Sequence, residues 1–241
     1  MRVDEDAAAA RGPHLRNSAE DRAPAGPARP YRAVLFDLDG TLLDSGELIL
    51  TAFQATVRAH LHREIPREEV FDMWSRPIRE RFHVLATDRD ELLTQDYLHR
   101  YLALHDRYAR LFPGIPDLLE TLKRSGYAMG IVTSKRRSTA MAAVVRFRLD
   151  RWCPIVIVDE DVRRHKPDPE SVRLAAARLD VPPAASLMVG DSPLDIAAGQ
   201  AAGAGTAAAL WGTVDARQLL AAAPDLRLAR PEDLLSFCRP R

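Results

Sequence analysis

The stretch YRAVLFDLDGTLLDS, residues 31–45, decides how this chain is interpreted. It begins as an apolar run that is typical of a buried strand, and it ends on two carboxylates, Asp37 and Asp39, separated by one residue. Alternate residues of a strand point to the same side, so both acids can face one pocket. This arrangement suits a reaction that needs a carboxylate nucleophile beside a second carboxyl that gives and takes a proton.

Two further segments place polar side chains where a predicted strand ends. GYAMGIVTSK, residues 126–135, stops on Thr133 and Ser134, whose hydroxyls either hold phosphate oxygens or cap the following helix. IVIVDEDVRRHKPDPES, residues 155–171, carries Lys166 in the loop that precedes a helix. The proline that follows this lysine favours an extended backbone and limits how far its position can vary.

A third segment, SLMVGDSPLDIAAGQAAG, residues 186–203, is a strand that runs into Asp191. A glycine and an acid directly after an apolar strand place a carboxylate at the edge where open parallel sheets bind ligands. Asp195 follows four residues later, in the first turns of the next helix, where an acid also serves the helix dipole. Asp37 and Asp191 are therefore candidate ligands of a magnesium ion, which prefers oxygen ligands.

The order of these segments resembles the haloacid dehalogenase-like hydrolase superfamily. The pattern is Asp-x-Asp, then Thr or Ser, then Lys-Pro, then Gly-Asp-x-x-x-Asp, and it extends from Tyr31 to about Leu235. The second acid distinguishes reaction classes: family members that cleave carbon–halogen bonds lack it, and ion-pumping relatives carry a threonine there. The resemblance therefore implies a phosphatase or a phosphomutase.

The resemblance also implies a role for each residue. Asp37 attacks phosphorus, and Asp39 protonates the leaving oxygen and then activates the water that releases phosphate. Mg²⁺ is held by Asp37, by the backbone carbonyl of Asp39 and by Asp191. Lys166 is expected to neutralise charge, and Thr133 and Ser134 to bind phosphate. Asp195 is expected to orient either the lysine or metal-bound water.

The alternation of strands and helices predicts an α/β fold, a Rossmann-like open parallel sheet with helices on both faces. The strand that leads to Asp37 is expected in the middle of this sheet. Further strands are predicted near 127–133, 155–158, 186–190 and 206–210, and further helices near 115–125, 138–148, 168–180, 193–203 and 231–238.

Composition and periodicity divide the chain into three parts. Residues 1–30 are rich in Ala, Arg, Pro and Asp, and we predict a disordered tail there. Residues 31–44 and 113–241 are expected to form the α/β core, and residues 45–112 an inserted all-helical cap. The cap helices are predicted over 47–63, 66–74, 77–86 and 90–112, and an aromatic stripe on the last of them is interpreted as packing within the cap: Tyr97, Tyr101, His105 and Tyr108.

SRPIRERF, residues 75–82, resembles the substrate-recognition loop of phosphoglycolate phosphatase-like members. On that pattern Arg79 reaches an acidic substrate, because a guanidinium binds a carboxylate or a phosphate in a fork. The alternative is that Arg76, Arg79 and Arg81 only solvate one face of a helix.

The overall composition restricts the partners of the protein. Among 241 residues, 34 basic and 34 acidic side chains give a formal net charge of +0, which argues against nucleic acid or an anionic membrane as a partner. Cys153 and Cys238 lack the spacing of a metal site and are expected to be free thiols. No stretch approaches a membrane span, so we expect a cytoplasmic protein, and without a heptad pattern we expect a monomer or a weak homodimer.

The function that these observations favour is a Mg²⁺-dependent phosphatase that hydrolyses a small phosphorylated metabolite, most like the phosphoglycolate phosphatases. A pyrophosphatase of the same family and a β-phosphoglucomutase-like phosphosugar mutase remain open alternatives. A non-catalytic protein on the same fold is disfavoured, because it has no chemical need for Asp37, Asp39, Lys166 and Asp191 together.

Overall fold

The computed structural model, which describes residues 31–74 and 76–238, contains a six-stranded parallel sheet and a separate pair of short strands. The residues predicted as an N-terminal tail, 1–30, lie outside the described residues. The strands are, in chain order, β1 Ala33–Phe36, β2 Leu43–Asp44, β3 Arg110–Leu111, β4 Ala128–Val132, β5 Ile155–Ile157, β6 Ser186–Gly190, β7 Gly205–Ala209 and β8 Leu226–Leu228.

Helices connect these strands, and within the described residues none is long and apolar enough to cross a membrane. Nine of them are α-helical in this part of the chain: α1 Gly46–Leu61, α2 Arg67–Asp72, α3 Ile78–Leu85, α4 Asp90–Tyr108, α5 Ile115–Arg124, α6 Arg137–Phe147, α7 Glu170–Arg178, α8 Pro193–Ala202 and α9 Ala216–Ala221.

The strand order of the large sheet is β5-β4-β1-β6-β7-β8, and every neighbouring pair is parallel. In the centre, Leu35 of β1 lies opposite Gly130 of β4 on one side and Met188 of β6 on the other. All four residues of β1 are fully buried, as expected for an apolar strand with neighbours on both edges. The α/β fold is therefore confirmed, with the strand that leads to Asp37 in the middle of the sheet.

Three short elements near the C-terminus differ from the prediction. The strand β8 and the helix α9 were not predicted, because three and six residues are too few to show a period. The predicted helix near 231–238 is instead a 3-10 helix over Pro231–Ser236. Both cysteines are buried free thiols, as predicted.

The chain leaves the sheet region through β2 and returns to it through β3, and these two strands pair antiparallel to each other. In this ribbon Leu43 lies opposite Leu111 and Asp44 lies opposite Arg110. The helices α1 to α4 lie between the two crossings, and we call residues 46–108 the helical cap. The domain boundaries given from the sequence, 44/45 and 112/113, stay a prediction.

Aromatic packing forms the interior of the helical cap. The rings of Phe53 on α1 and Phe82 on α3 stack, with centroids 4.6 Å apart and planes 8° from parallel. Tyr97 on α4 meets both rings edge-on, at 6.4 and 6.0 Å. Phe82 is fully buried, so its ring fixes α3 against the two long helices of the cap.

Removing the Phe82 ring is expected to destabilise the protein. Phe82→Ala leaves a cavity against Phe53 and should lower the free energy of unfolding by about 3–5 kcal/mol, measured by urea denaturation. The matched control is Val84→Ala, on the same helix but 57% exposed, which should change stability by no more than about 0.5 kcal/mol. Equal losses for the two variants contradict the packing described here.

Candidate active site

Four chain segments meet at the carboxyl edge of the sheet. Asp37 directly follows β1, Thr133 follows β4, and Asp191 follows β6. Lys166 lies in the loop between β5 and α7. Their side chains line a single cleft, whose opposite wall is the helical cap. The structure therefore brings together the candidate site residues that the sequence predicted from four separate segments of the chain.

Lys166 is the cation at the floor of this cleft. Its Nζ donates hydrogen bonds to Asp37 Oδ1 at 2.8 Å, to Asp195 Oδ1 at 2.6 Å and to the backbone carbonyl of Val132 at 2.7 Å. Burial alone would lower the pKa of Lys166, but the charges of Asp195 and Asp37 outweigh it and raise the pKa. The ammonium is therefore held in its charged form with all three protons in hydrogen bonds.

Asp37 and Asp191 are buried carboxyls that lie side by side. Burial raises the pKa of Asp37 to about 7; Lys166 opposes this rise and the charge of Asp195 adds to it. Burial likewise raises the pKa of Asp191 well above its usual range, and the neighbouring charge of Asp37 raises it further. The Thr41 hydroxyl donates to Asp191 Oδ1 at 3.0 Å. These carboxyls therefore ionise readily only when more positive charge enters the cleft.

Asp195 lies in the first turn of α8, where its side chain bonds to the helix N-cap residue. Its Oδ2 accepts from the backbone N–H of Ser192 at 3.1 Å and from the Ser192 hydroxyl at 2.6 Å, in a reciprocal capping box. Its Oδ1 accepts from Lys166. Asp195 therefore contacts both Lys166 and Ser192, and which of its two expected roles it has stays a prediction.

Asp39 faces a second lysine that sequence reasoning did not assign. The Nζ of Lys135 lies 2.8 Å from Asp39 Oδ1 and 2.7 Å from Oδ2, and the hydroxyl of Ser45 also donates to Oδ1. The same ammonium donates to the Tyr101 hydroxyl on α4 at 2.6 Å. Lys135 thus joins the second acid to the helical cap, and its position directly after Thr133 and Ser134 was a signal in the sequence.

The two hydroxyl residues after β4 both line the cleft, but they differ in exposure. Thr133 is 5% exposed, and its Oγ1 accepts from the backbone N–H of Lys135 at 3.3 Å. Ser134 is exposed to solvent. Both are placed where a phosphate oxygen could reach them, with Thr133 in the more fixed position.

The loop after β1 is braced by the loop after β7. The indole N–H of Trp211 donates to the carbonyl of Thr41 at 2.9 Å. A Cβ at position 212 would lie 1.9 Å from the carbonyl oxygen of Gly40, so only glycine allows this approach. Gly40 itself has a φ of +76°, and a Cβ there would lie 2.1 Å from Asp191 Oδ2. Gly40 and Gly212 therefore allow the loop after β1 to lie directly against Asp191 and the loop after β7.

Arg79, the residue predicted to reach the substrate from the cap, does not line the cleft. It is exposed on α3, where its Nε donates to Asp90 at 3.0 Å and its Nη1 lies 3.5 Å from Glu91. Arg81, two residues further along, lines the cleft instead. Two residues rotate by about 200° around a helix, so the two arginines face opposite sides of α3.

The family assignment agrees with this geometry. A family model described as "Haloacid dehalogenase-like hydrolase" matches residues 34–209, which include every residue of the cleft floor. The chain belongs to this hydrolase family. Its activity is hydrolysis of phosphate esters, and its named relatives include a phosphatase and a pyrophosphatase.

Named relatives resemble this hydrolase in both sequence and structure. Pyrophosphatase PpaX of Bacillus velezensis is 35% identical over 84% of this chain and 94% of its own length. A candidate phosphoglycolate phosphatase from Lactobacillus plantarum superimposes with a TM-score of 0.79 at 26% identity, covering 86% of this chain and 99% of that one. CbbY from Rhodobacter sphaeroides, solved with phosphate, superimposes with a TM-score of 0.75 at 26% identity, covering 86% of this chain and 98% of that one.

The cleft floor of this hydrolase fits a divalent metal ion, which phosphatases of the family generally use. Asp37, Asp191 and Asp195 each offer a carboxylate oxygen, and the three oxygens lie within 4.8 Å of one another. Oxygen donors of this kind suit hard divalent cations. Asp195 accepts one hydrogen bond from Lys166 and two from Ser192, so Asp37 and Asp191 have more lone pairs left to hold the ion.

The buried carboxyls predict how stability depends on pH without metal. Asp37 and Asp191 have raised pKa values in the folded chain, so the folded state holds protons that the unfolded state releases. Stability of the metal-free protein should therefore fall as the pH rises from about 4 towards about 7. Asp191→Asn keeps the acceptor for Thr41 and should raise stability in EDTA near neutral pH by at least about 1 kcal/mol, but not at acid pH, in urea denaturation.

The same variant separates metal binding from simple charge removal. A divalent ion at about 100 times its Kd should stabilise the wild type by about 2.7 kcal/mol, and the gain should be largely lost in Asp191→Asn. The control is Asp150→Asn, an exposed carboxylate remote from the cleft, which should behave as the wild type in both conditions. A metal effect of the same size in Asp191→Asn speaks against Asp191 as a ligand.

Proposed function

We propose that the protein is a Mg²⁺-dependent phosphatase that hydrolyses a small phosphorylated metabolite through an aspartyl-phosphate intermediate. The observation that carries this proposal is the buried ammonium of Lys166, 2.8 Å from Asp37 and 2.6 Å from Asp195, beside the carboxyl of Asp191. A carboxylate nucleophile beside a buried ammonium group suits attack on a phosphate group.

Asp37 is the proposed nucleophile. Lys166 occupies its Oδ1, while Oδ2 has no hydrogen-bond partner among the described residues and is the oxygen placed to attack. A bond forms between this oxygen and phosphorus as the bond from phosphorus to the leaving oxygen breaks. The positive charge of Lys166 offsets the repulsion between the carboxylate and the phosphate dianion.

Asp39 is the proposed acid and base. It gives its proton to the leaving oxygen in the first step, and in the second it removes a proton from the water that attacks the aspartyl-phosphate. That attack releases inorganic phosphate and restores the Asp37 carboxylate. Lys135 and Ser45 hold the Asp39 side chain at the entrance of the cleft, between the nucleophile and the cap.

Asp37, Asp191 and the backbone carbonyl of Asp39 are the proposed metal ligands, and Thr133 and Ser134 the proposed phosphate ligands. When bound, Mg²⁺ would neutralise charge on the phosphate oxygens and lower the cost of bringing a carboxylate to them. The raised pKa values of Asp37 and Asp191 fit this role, because a cation would return both groups to their ionised form.

Two substrates are proposed for comparison. A phosphoglycolate-like monoester is suggested by the likeness to the Lactobacillus plantarum protein. Inorganic pyrophosphate is the second candidate, favoured by 35% identity over 94% of the length of Bacillus velezensis PpaX, which is named as a pyrophosphatase. Both place a second acidic group close to the phosphorus under attack.

The nucleophile is tested by Asp37→Asn. Loss of the attacking charge should lower kcat by at least about 1,000-fold in release of inorganic phosphate with Mg²⁺, without loss of the folded state by circular dichroism. Asp150→Asn is the matched control and should retain wild-type kcat. Wild-type turnover by Asp37→Asn removes Asp37 as the nucleophile.

The substrate class is tested by a panel that contains phosphoglycolate, pyrophosphate and glucose 1-phosphate with and without a bisphosphate activator. We expect phosphate release from phosphoglycolate or pyrophosphate in Mg²⁺ and none in EDTA. Conversion of glucose 1-phosphate to its 6-phosphate, without phosphate release, would instead indicate a mutase. Mass spectrometry of acid-quenched enzyme should find phosphate on Asp37 in either case.

A further inference from the structure

Arg81 is a cation that faces the cleft without an acidic partner. It is partly buried on α3, its Nε donates to the carbonyl of Arg76 at 2.8 Å, and its Nη2 donates to the carbonyl of Trp74. Its guanidinium carbon lies 5.3 Å from the centre of the Trp74 ring. Within residues 31–74 and 76–238, no carboxylate lies within 4.0 Å of its nitrogens.

The two lysines of the cleft are already matched by acids. Lys166 is held by Asp37 and Asp195, and Lys135 by Asp39. Burial lowers the pKa of Arg81, although the nearby Tyr97 and Asp39 oppose the shift. An arginine stays charged at any physiological pH, so this guanidinium loses hydration without gaining a counter-charge from the described residues.

Tyr97 offers a second unused polar group on the same wall. The residue is 6% exposed and its ring is packed against Phe53 and Phe82, yet its side chain lines the cleft. Among the described residues its hydroxyl has no hydrogen-bond partner. This hydroxyl opens onto the cleft and is therefore free to donate a hydrogen bond to a group bound there.

We propose that Arg81 and the Tyr97 hydroxyl form an oxyanion subsite on the cap wall, which binds a carboxylate or phosphate group at the leaving end of the substrate. The proposal rests on the proposed function and deepens it, because it restricts the substrates to phosphates that carry a second acidic group. Arg81 donates through N–H groups in a fork, and Tyr97 donates a single hydrogen bond. A neutral leaving group leaves both donors unpaired and should therefore bind and react less well.

The subsite is tested by equilibrium binding, which requires no turnover. Titration calorimetry at fixed free Mg²⁺ compares three stable probes: methylenediphosphonate, phosphonoacetate and ethylphosphonate, of which only the last lacks a second acidic group. The wild type should bind the first two at least about 10-fold more tightly than ethylphosphonate. In Arg81→Met that preference should fall to about twofold or less, while the Kd for ethylphosphonate stays within about threefold.

Two further variants make the result specific to the subsite. Tyr97→Phe keeps the ring packing and should weaken both doubly acidic probes by about fivefold. Arg79→Met is the matched control: it removes an arginine from the same helix, but one paired with Asp90 outside the cleft, and should change no Kd by more than about twofold. Phosphonoacetate and methylenediphosphonate together tell whether the subsite prefers a carboxylate or a phosphate.

The subsite is overturned if Arg81→Met weakens all three probes equally, which indicates a general fold defect, or if it weakens none. Failure of the proposed function has a different signature, since the wild type would then release no phosphate from any substrate of the panel whatever the binding pattern. Hydrolysis of phosphoglycolate or pyrophosphate by the wild type, with a loss in Arg81→Met that is at least about 10-fold larger for these two than for ethyl phosphate, supports both proposals.

Discussion

The contact between Lys166 and two buried carboxylates is the interaction on which the site depends. Three acids without a lysine would repel one another at the sheet edge, and a lysine without acids would not remain charged at such burial. The backbone carbonyl of Val132 takes the third proton of the ammonium and ties it to β4. The position of Asp37 is thus set jointly by β1, β4 and the start of α8, and a shift of any of them displaces it.

This arrangement leaves the cleft short of positive charge. Asp37, Asp191 and Asp195 outnumber Lys166, and the raised pKa values of Asp37 and Asp191 are the physical result. A divalent cation relieves the same imbalance that a phosphate dianion would otherwise worsen. Metal and substrate are therefore expected to favour each other's binding, since each supplies charge that the other requires.

The central part of the fold and the cleft floor were predictable because they follow from local patterns. A buried parallel strand shows as an apolar run, and a polar residue directly after it must lie at the carboxyl edge, which located Asp37, Thr133 and Asp191. The cap wall was not predictable in the same way. Arg79 and Arg81 differ by two positions, and which of them faces inward depends on the rotation of α3 about its axis, which is set by the stack of Phe82 on Phe53.

The antiparallel ribbon of β2 and β3 has a consequence for how the cap can change position. Both chain crossings between the sheet and the helices are hydrogen-bonded to each other, so they can only move together. A displacement of the cap therefore acts on both connections together. The cap also reaches Asp39 indirectly, because the ammonium of Lys135 bonds both to that carboxylate and to Tyr101 on α4, so the position of α4 and the orientation of Asp39 are coupled through one side chain.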